Sequence, residues 1–150
     1  MSLRERVLEQ LADHHVMTVA TIGPEGPWAA AVFYAHDDLT LYFLSSPTSR
    51  HSLNIASGAD VAVTIQRDYN DWPGIRGLQL RGRAEPVPTK DEAIVRSLYG
   101  SRFPIVGLAA KAPATIVRAL DRIRWYALSP RSICLIDNRL GFGHREQLDL

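Results

Sequence analysis

Apolar residues recur at alternate positions in short runs, and Gly, Pro or Asp cuts off each run before it grows long. That period of two is what a half-buried β-strand needs, because successive side chains point to opposite faces. Read this way, strands are predicted over His15–Ile22, Trp28–His36, Leu39–Leu44, Asp60–Gln66 and residues 75–87. Further strand-like stretches are Ala114–Asp121, Ile123–Leu128 and Ser132–Asp137. Gly23-Pro24-Glu25-Gly26-Pro27, Asp37-Asp38 and Pro130-Arg131 are turns by composition. Pro86 and Pro88 end the long run at 75–87, which Gly77 and Gly82 interrupt. Strands this short, joined by tight turns, predict a mostly β protein: an antiparallel barrel of six to seven strands with flanking short helices, with an open sheet carrying helices on one face as the alternative.

Three segments carry helix signals instead. Leu3, Val7, Leu8 and Leu11 share one face over residues 3–13, and Ser2 with Glu5 has capping-box spacing. The polar run Ser45-Ser46-Pro47-Thr48-Ser49-Arg50-His51 opens a short helix through Ala56. Thr89 and Glu92 repeat the capping spacing before a helix to about Tyr99. A short helical or irregular piece is expected at Ile105–Ala110, closed by Pro113, and the tail Asn138–Leu150 reads as irregular. No repeat or linker divides the chain, so residues 1–150 are expected to form one domain.

Composition narrows the function classes. With 46% apolar and 22% charged residues, the 150-residue chain can bury a core without disulfides. The one cysteine, Cys134, has no internal partner, and its apolar setting reads as packing rather than as a reactive thiol. A net charge of +1 gives no bulk attraction for nucleic acid or an anionic membrane. No apolar run is long enough to span a bilayer, and MSLRERVLEQ lacks a signal core, so a cytoplasmic protein is expected. The five histidines lack metal-site spacing, and no nucleophile elbow, phosphate loop or dinucleotide fingerprint is present. No catalytic or metal-ligating residue is therefore assigned.

Three features remain. Ser45, Ser46, Thr48, Ser49 and Arg50 follow an aromatic-rich strand, and hydroxyls with one guanidinium can make a phosphate site, although on the residues alone a capped surface turn is the favoured reading. Ala29-Ala30-Ala31-Val32-Phe33-Tyr34 lets a flat ligand approach the backbone, or fills interior layers of a barrel. Gln79, Arg81 and Arg83 share one face of a strand, as a solvated edge or as an interface strand lending polar groups to a ligand. The segments Arg102-Phe103-Pro104 and Leu140-Gly141-Phe142-Gly143 follow from none of these patterns.

Leu41-Tyr42-Phe43-Leu44-Ser45 leading into Ser49-Arg50-His51, after a helix and two strands with a Gly/Pro turn, resembles the pyridoxamine 5′-phosphate oxidase-like, FMN-binding split-barrel proteins. Thr48-Ser49-Arg50-His51, Arg76–Gly82, Arg102-Phe103-Pro104 and Leu140–Gly143 resemble a small, poorly characterised bacterial subfamily of that group. The resemblance implies a split-barrel homodimer with two FMN sites at the interface. It implies that Ser45, Ser49 and Arg50, with His51 beside them, hold the ribityl phosphate. Val32, Phe33 and Tyr34 would flank the isoalloxazine ring, with Gln79 contributed by the other subunit. The implied chemistry is two-electron transfer at flavin N5 with a small-molecule substrate or electron donor. The strand Ala29–Tyr34 has no basic residue where the oxidase proper carries them, so vitamin B6 oxidation is not implied. A non-catalytic flavin- or haem-binding module and a deazaflavin-dependent reductase are the alternatives.

Overall fold

The computed structural model describes residues 1–104 and 114–150. Helix α1 (Leu3–Asp13) begins as its sequence predicts: Ser2 Oγ accepts from Glu5 N at 3.1 Å, and Ser2 N donates to Glu5 Oε2 at 2.7 Å. Strands β1 (Val16–Gly23), β2 (Gly26–Phe33), β3 (Ala35–Asp37) and β4 (Thr40–Ser45) follow. The predicted second strand is thus two, broken at Tyr34. Helix α2 (Arg50–Ala56) leads to β5 (Val61–Gln66) and β6 (Arg76–Pro86). A 3-10 turn at Thr89–Asp91 precedes α3 (Glu92–Arg102), which Asp91 opens without a side-chain capping bond, so the predicted capping box does not form there.

Ala114–Arg122 is helix α4, where a strand is predicted. Ile116, Val117 and Leu120 in fact recur at helical spacing, and the β-branched pair masks that period. The expected piece at 105–110 and its terminator Pro113 lie outside the described residues. Strand β7 (Arg124–Asp137) is continuous through Pro130-Arg131, which is no turn. Its register against β6 shifts between Arg81 and Gly82, so Arg131 is the extra residue of a bulge. A proline without an N–H is tolerated there. The tail is ordered as well: after a 3-10 turn at Asn138–Leu140, β8 (Arg145–Asp149) pairs with β7.

The eight strands form one antiparallel sheet in the order β2-β1-β5-β6-β7-β4-β3, with β8 on β7. β7 is long enough to carry β4 along its first part and β8 along its second. β2 and β3 end the path from opposite sides yet follow each other in the chain, so the sheet curls into a half-closed barrel. Met17, Val19, Tyr34, Leu41, Phe43, Ile65, Leu78, Leu128 and Ile133 fill its interior. A second core lies outside β4 and β7, where α3 covers Trp125 and Ala35 with Val95 and Tyr99.

Arg102-Phe103-Pro104 finds its reason here. The Arg102 guanidinium donates to the carbonyls of Leu11 (3.3 Å), Ala12 (3.2 Å) and His14, closing the C-terminus of α1 with a positive charge. Phe103 packs against Tyr99, Phe33 and His15, with ring centroids 4.6, 5.0 and 6.0 Å apart. A second tie joins α1 to the tail: Arg6 grips Glu146 at 2.6 and 2.7 Å, and His144 Nε2 lies 3.1 Å from the same carboxylate. Hydrogen bonds from Arg6, then from His144, hold the Glu146 carboxyl down at about 2. A depressed carboxylate contributes stability above its unfolded value of about 4.3 and loses it as pH falls towards its folded value. Acid unfolding of Glu146→Gln, followed by circular dichroism, is therefore expected to show a flatter limb than the wild type between about pH 4.5 and 2.

Candidate functional site

Alternation along β4 points Leu41, Phe43 and Ser45 inward, so Ser45 is the polar end of a buried row. Its hydroxyl needs partners, and α2 supplies them. Ser45 Oγ lies 2.5 Å from His51 Nε2 and 3.0 Å from Ser49 Oγ, and accepts from Ser52 Oγ at 3.1 Å. Ser49 is the N-cap of α2: its Oγ accepts from Ser52 N at 3.4 Å and donates to the Ser46 carbonyl at 2.7 Å. Burial lowers the His51 pKa, so a neutral imidazole accepting from Ser45 is the favoured form.

Arg50 leaves this knot on the solvent side. Its guanidinium pairs with Glu25 and stands 5.5 Å over the Trp28 ring. Asn54 makes the arrangement rigid. Buried in α2, it donates to Thr21 Oγ1 at 3.0 Å and presses on Gly23, where any Cβ would collide with its amide. Helix α2 is thereby locked onto the β1–β2 hairpin that carries Glu25 and Trp28. Ser45, Ser49, Arg50 and His51 are thus brought together as the sequence predicts. Ser52, Asn54, Glu25 and Trp28 complete the group unpredicted. Ser52 was readable from its three-residue spacing to Ser49; Glu25 reads only as a turn residue.

The other expected residues lie apart. Val32 points inward, half-buried against the main core, and Tyr34 is fully buried with its hydroxyl donating to the Leu11 carbonyl at 2.7 Å. Burial pushes the Tyr34 phenol up to about 12. Phe33 alone presents its ring, 55% exposed. Val32 lies four residues beyond Trp28 on β2, or about 13 Å along the strand. Ala29 and Ala31 point outward, not into interior layers, and only Ala30 turns towards the core side with its partner Val19. β2 also ends the sheet path, so its outer edge pairs with no strand among the described residues.

Gln79 sits on the exposed face of β6, an interior strand and not an edge, with Oε1 3.4 Å from Arg145 Nη1. The register aligns Ala31, Thr18, Thr64 and Gln79 in one row across β2, β1, β5 and β6, and Ala29, Ala20, Ala62 and Arg81 in the next. Gln79 is therefore about 14 Å from Ala31 within one chain. Among the described residues no layer covers this face, whereas α3 covers the outer face of β4 and β7. Half-buried Cys134 pairs with Gln79 on β7. Trp72 and exposed Phe142 meet on the surface with ring centroids 5.8 Å apart. Among the described residues there is no cluster of His, Cys, Asp and Glu that could hold a metal. No described helix is long and apolar enough to cross a membrane.

A half-closed antiparallel barrel with a hydroxyl-lined bend after β4 defines a split-barrel class. The chain belongs to the pyridoxamine 5′-phosphate oxidase family, whose model matches residues 3–125. A UPF0306 protein of Cronobacter sakazakii is 30% identical over 147 residues, covering 97% of this chain and 94% of that protein. Among solved structures, a heme binding protein from Mycobacterium smegmatis matches 99% of this chain with a TM-score of 0.77 at 21% identity. The chain spans 58% of that structure's length. The heme storage protein HutZ from Vibrio cholerae matches with a TM-score of 0.67 at 16% identity, covering 99% of this chain and 95% of HutZ. At such identities the likeness is one of fold.

Proposed function

We propose that the protein is a homodimeric module that binds a planar cofactor with an anionic tail, FMN, at the end of β2. The observation that carries this reading is the packing of Ser45, Ser49 and His51 into one knot with Arg50 beside it, at the end of a strand whose outer edge is unpaired. The donor set suits a phosphate: hydroxyls of Ser46, Thr48 and Ser49 and a half-exposed guanidinium, the last being the stronger contact. In this reading Arg50 and the hydroxyls hold the phosphate, and His51 and Ser52 orient Ser45 and Ser49 from behind. The backbone of Val32–Tyr34 and the Phe33 ring flank the isoalloxazine. When bound, FMN supplies two-electron chemistry at N5. No side chain in the group is placed as nucleophile or proton donor, so binding is the function assigned to this chain, and oxidoreductase turnover depends on the cofactor's partners.

The homodimer reading is supported by a sheet face that no described element covers. Val16, Ile22 and Phe33 are 44%, 50% and 55% exposed, with Ala20, Ala29, Ala31 and Ala62 between them. An apolar sheet face calls for a second layer, and a second copy supplies one. It would also bring a Gln79 to a site that Gln79 of the same chain does not reach. Purified protein is expected to sediment as a dimer and to take up FMN with two visible absorption bands that dithionite bleaches. A monomer that leaves FMN free in a calorimetric titration would sink the reading. Haem is the second reading, favoured by the likeness to two structures described as haem proteins. A single sharp Soret band on adding hemin, with no uptake of FMN, would select it.

A further inference from the structure

We infer that Glu25 is a specificity-determining residue of this site: its carboxylate holds the Arg50 guanidinium that a phosphate tail must engage. The inference rests on the FMN reading and adds a competitor to it. Pro24 and Glu25 are the two residues between the paired glycines Gly23 and Gly26, so Glu25 sits at the tip of the β1–β2 hairpin. Gly26 takes φ 99°, open to glycine and strained for other residues, which makes the turn this tight. Two contacts fix the tip against α2, the Asn54–Thr21 hydrogen bond and the seat of Gly23 on the Asn54 amide. Glu25 is therefore presented to Arg50 by a rigid frame.

The charge balance follows. Arg50 and Glu25 sum to zero, and β2 adds no cation between Gly26 and Phe33. His51 is turned inward onto Ser45 and adds no charge while neutral. Glu25 meets the guanidinium through Nη1, so a phosphate that takes that edge must displace the carboxylate. Trp28 stays beneath Arg50 through that exchange, keeping the cation in place when its carboxylate partner leaves. A ligand with an anionic group can make the exchange; a neutral one leaves the pair intact. The carboxylate thus lowers affinity for every anionic ligand and selects those whose tail gains more than the ion pair, through the neighbouring hydroxyls of Ser46, Thr48 and Ser49. Both partners are partly exposed, with side chains 38% and 66% accessible, which keeps the competition modest.

The test is calorimetric titration of wild type, Glu25→Gln, Arg50→Ala and the double variant with FMN and with riboflavin, which lacks the phosphate. Glu25→Gln is expected to bind FMN about three- to fivefold more tightly, with riboflavin affinity unchanged. The gain should vanish in the Arg50→Ala background. In ligand-free protein the Arg50 Nε–H resonance should move on Glu25→Gln. An unmoved resonance, or unchanged FMN affinity in Glu25→Gln beside a weakened Arg50→Ala, overturns the competitor and leaves the FMN reading standing. Undiminished FMN affinity in Arg50→Ala, or no FMN binding by wild type, overturns the FMN reading and the competitor with it.

Discussion

Gly82→Ala is expected to lower the unfolding free energy by about 3 kcal/mol in urea titrations, the upper range for forcing atoms into a packed interior. The new Cβ would collide with the Ser129 carbonyl oxygen and lie 2.7 Å from Pro130 Cα. These are backbone atoms of β7, so no side-chain rotation relieves the clash. The position is also where the β6–β7 register shifts, and the bulge bends the longest strand so that β4 and β8 can both pair along it. Straightening the bulge to admit a methyl group would disturb both neighbours. Gly26→Ala is the control: its φ of 99° carries strain, but nothing lies within 4 Å of the added carbon, so a loss nearer 1 kcal/mol is expected. Equal losses in the two variants would mean that the close approach of β6 to β7 is not what makes Gly82 necessary.

The same bulge shows where the sequence was legible. Period-two burial along β1, β5 and β6 is the pattern of Met17 and Val19, of Val61, Val63 and Ile65, and of Leu78 and Leu80, and it could be read directly. Pro130-Arg131 reads as a turn, because a proline that breaks a ladder and one that sits in a bulge look alike until the partner strand is known. β8 is almost wholly polar, Arg145-Glu146-Gln147-Leu148-Asp149, and forms because β7 offers it a free edge. Ala29, Ala30 and Ala31 carry no signal for which side faces in; pairing with β1 decides it. The hydroxyl knot was legible because Ser45, Ser49 and His51 lie within seven residues, where a strand end and a helix start force them together. Glu25 was not, since a hairpin tip meets α2 only through the fold.

Arg50→Ala is expected to weaken FMN binding by about 1.5–3 kcal/mol, the worth of a hydrogen bond to a charged group, and to leave riboflavin binding unchanged. Two features push the value towards the lower end. The guanidinium is partly exposed, and it must part from Glu25 before it meets a phosphate, so wild type already gives up a fraction of the contact. Arg50→Lys separates charge from shape. An ammonium keeps the charge but loses the planar fork that can grip two phosphate oxygens and that stands over Trp28. It should recover part of the affinity but not all. Folding is a weak confounder, because α2 is fastened by Asn54, the serine knot and buried Ile55, none of which involves the Arg50 side chain. Calorimetry with FMN and riboflavin on all three proteins separates the contributions. A selective loss for FMN places the phosphate on the guanidinium; equal losses for both ligands would mean that Arg50 acts on the ring or on the dimer, and the bend after β4 would no longer be the anion site.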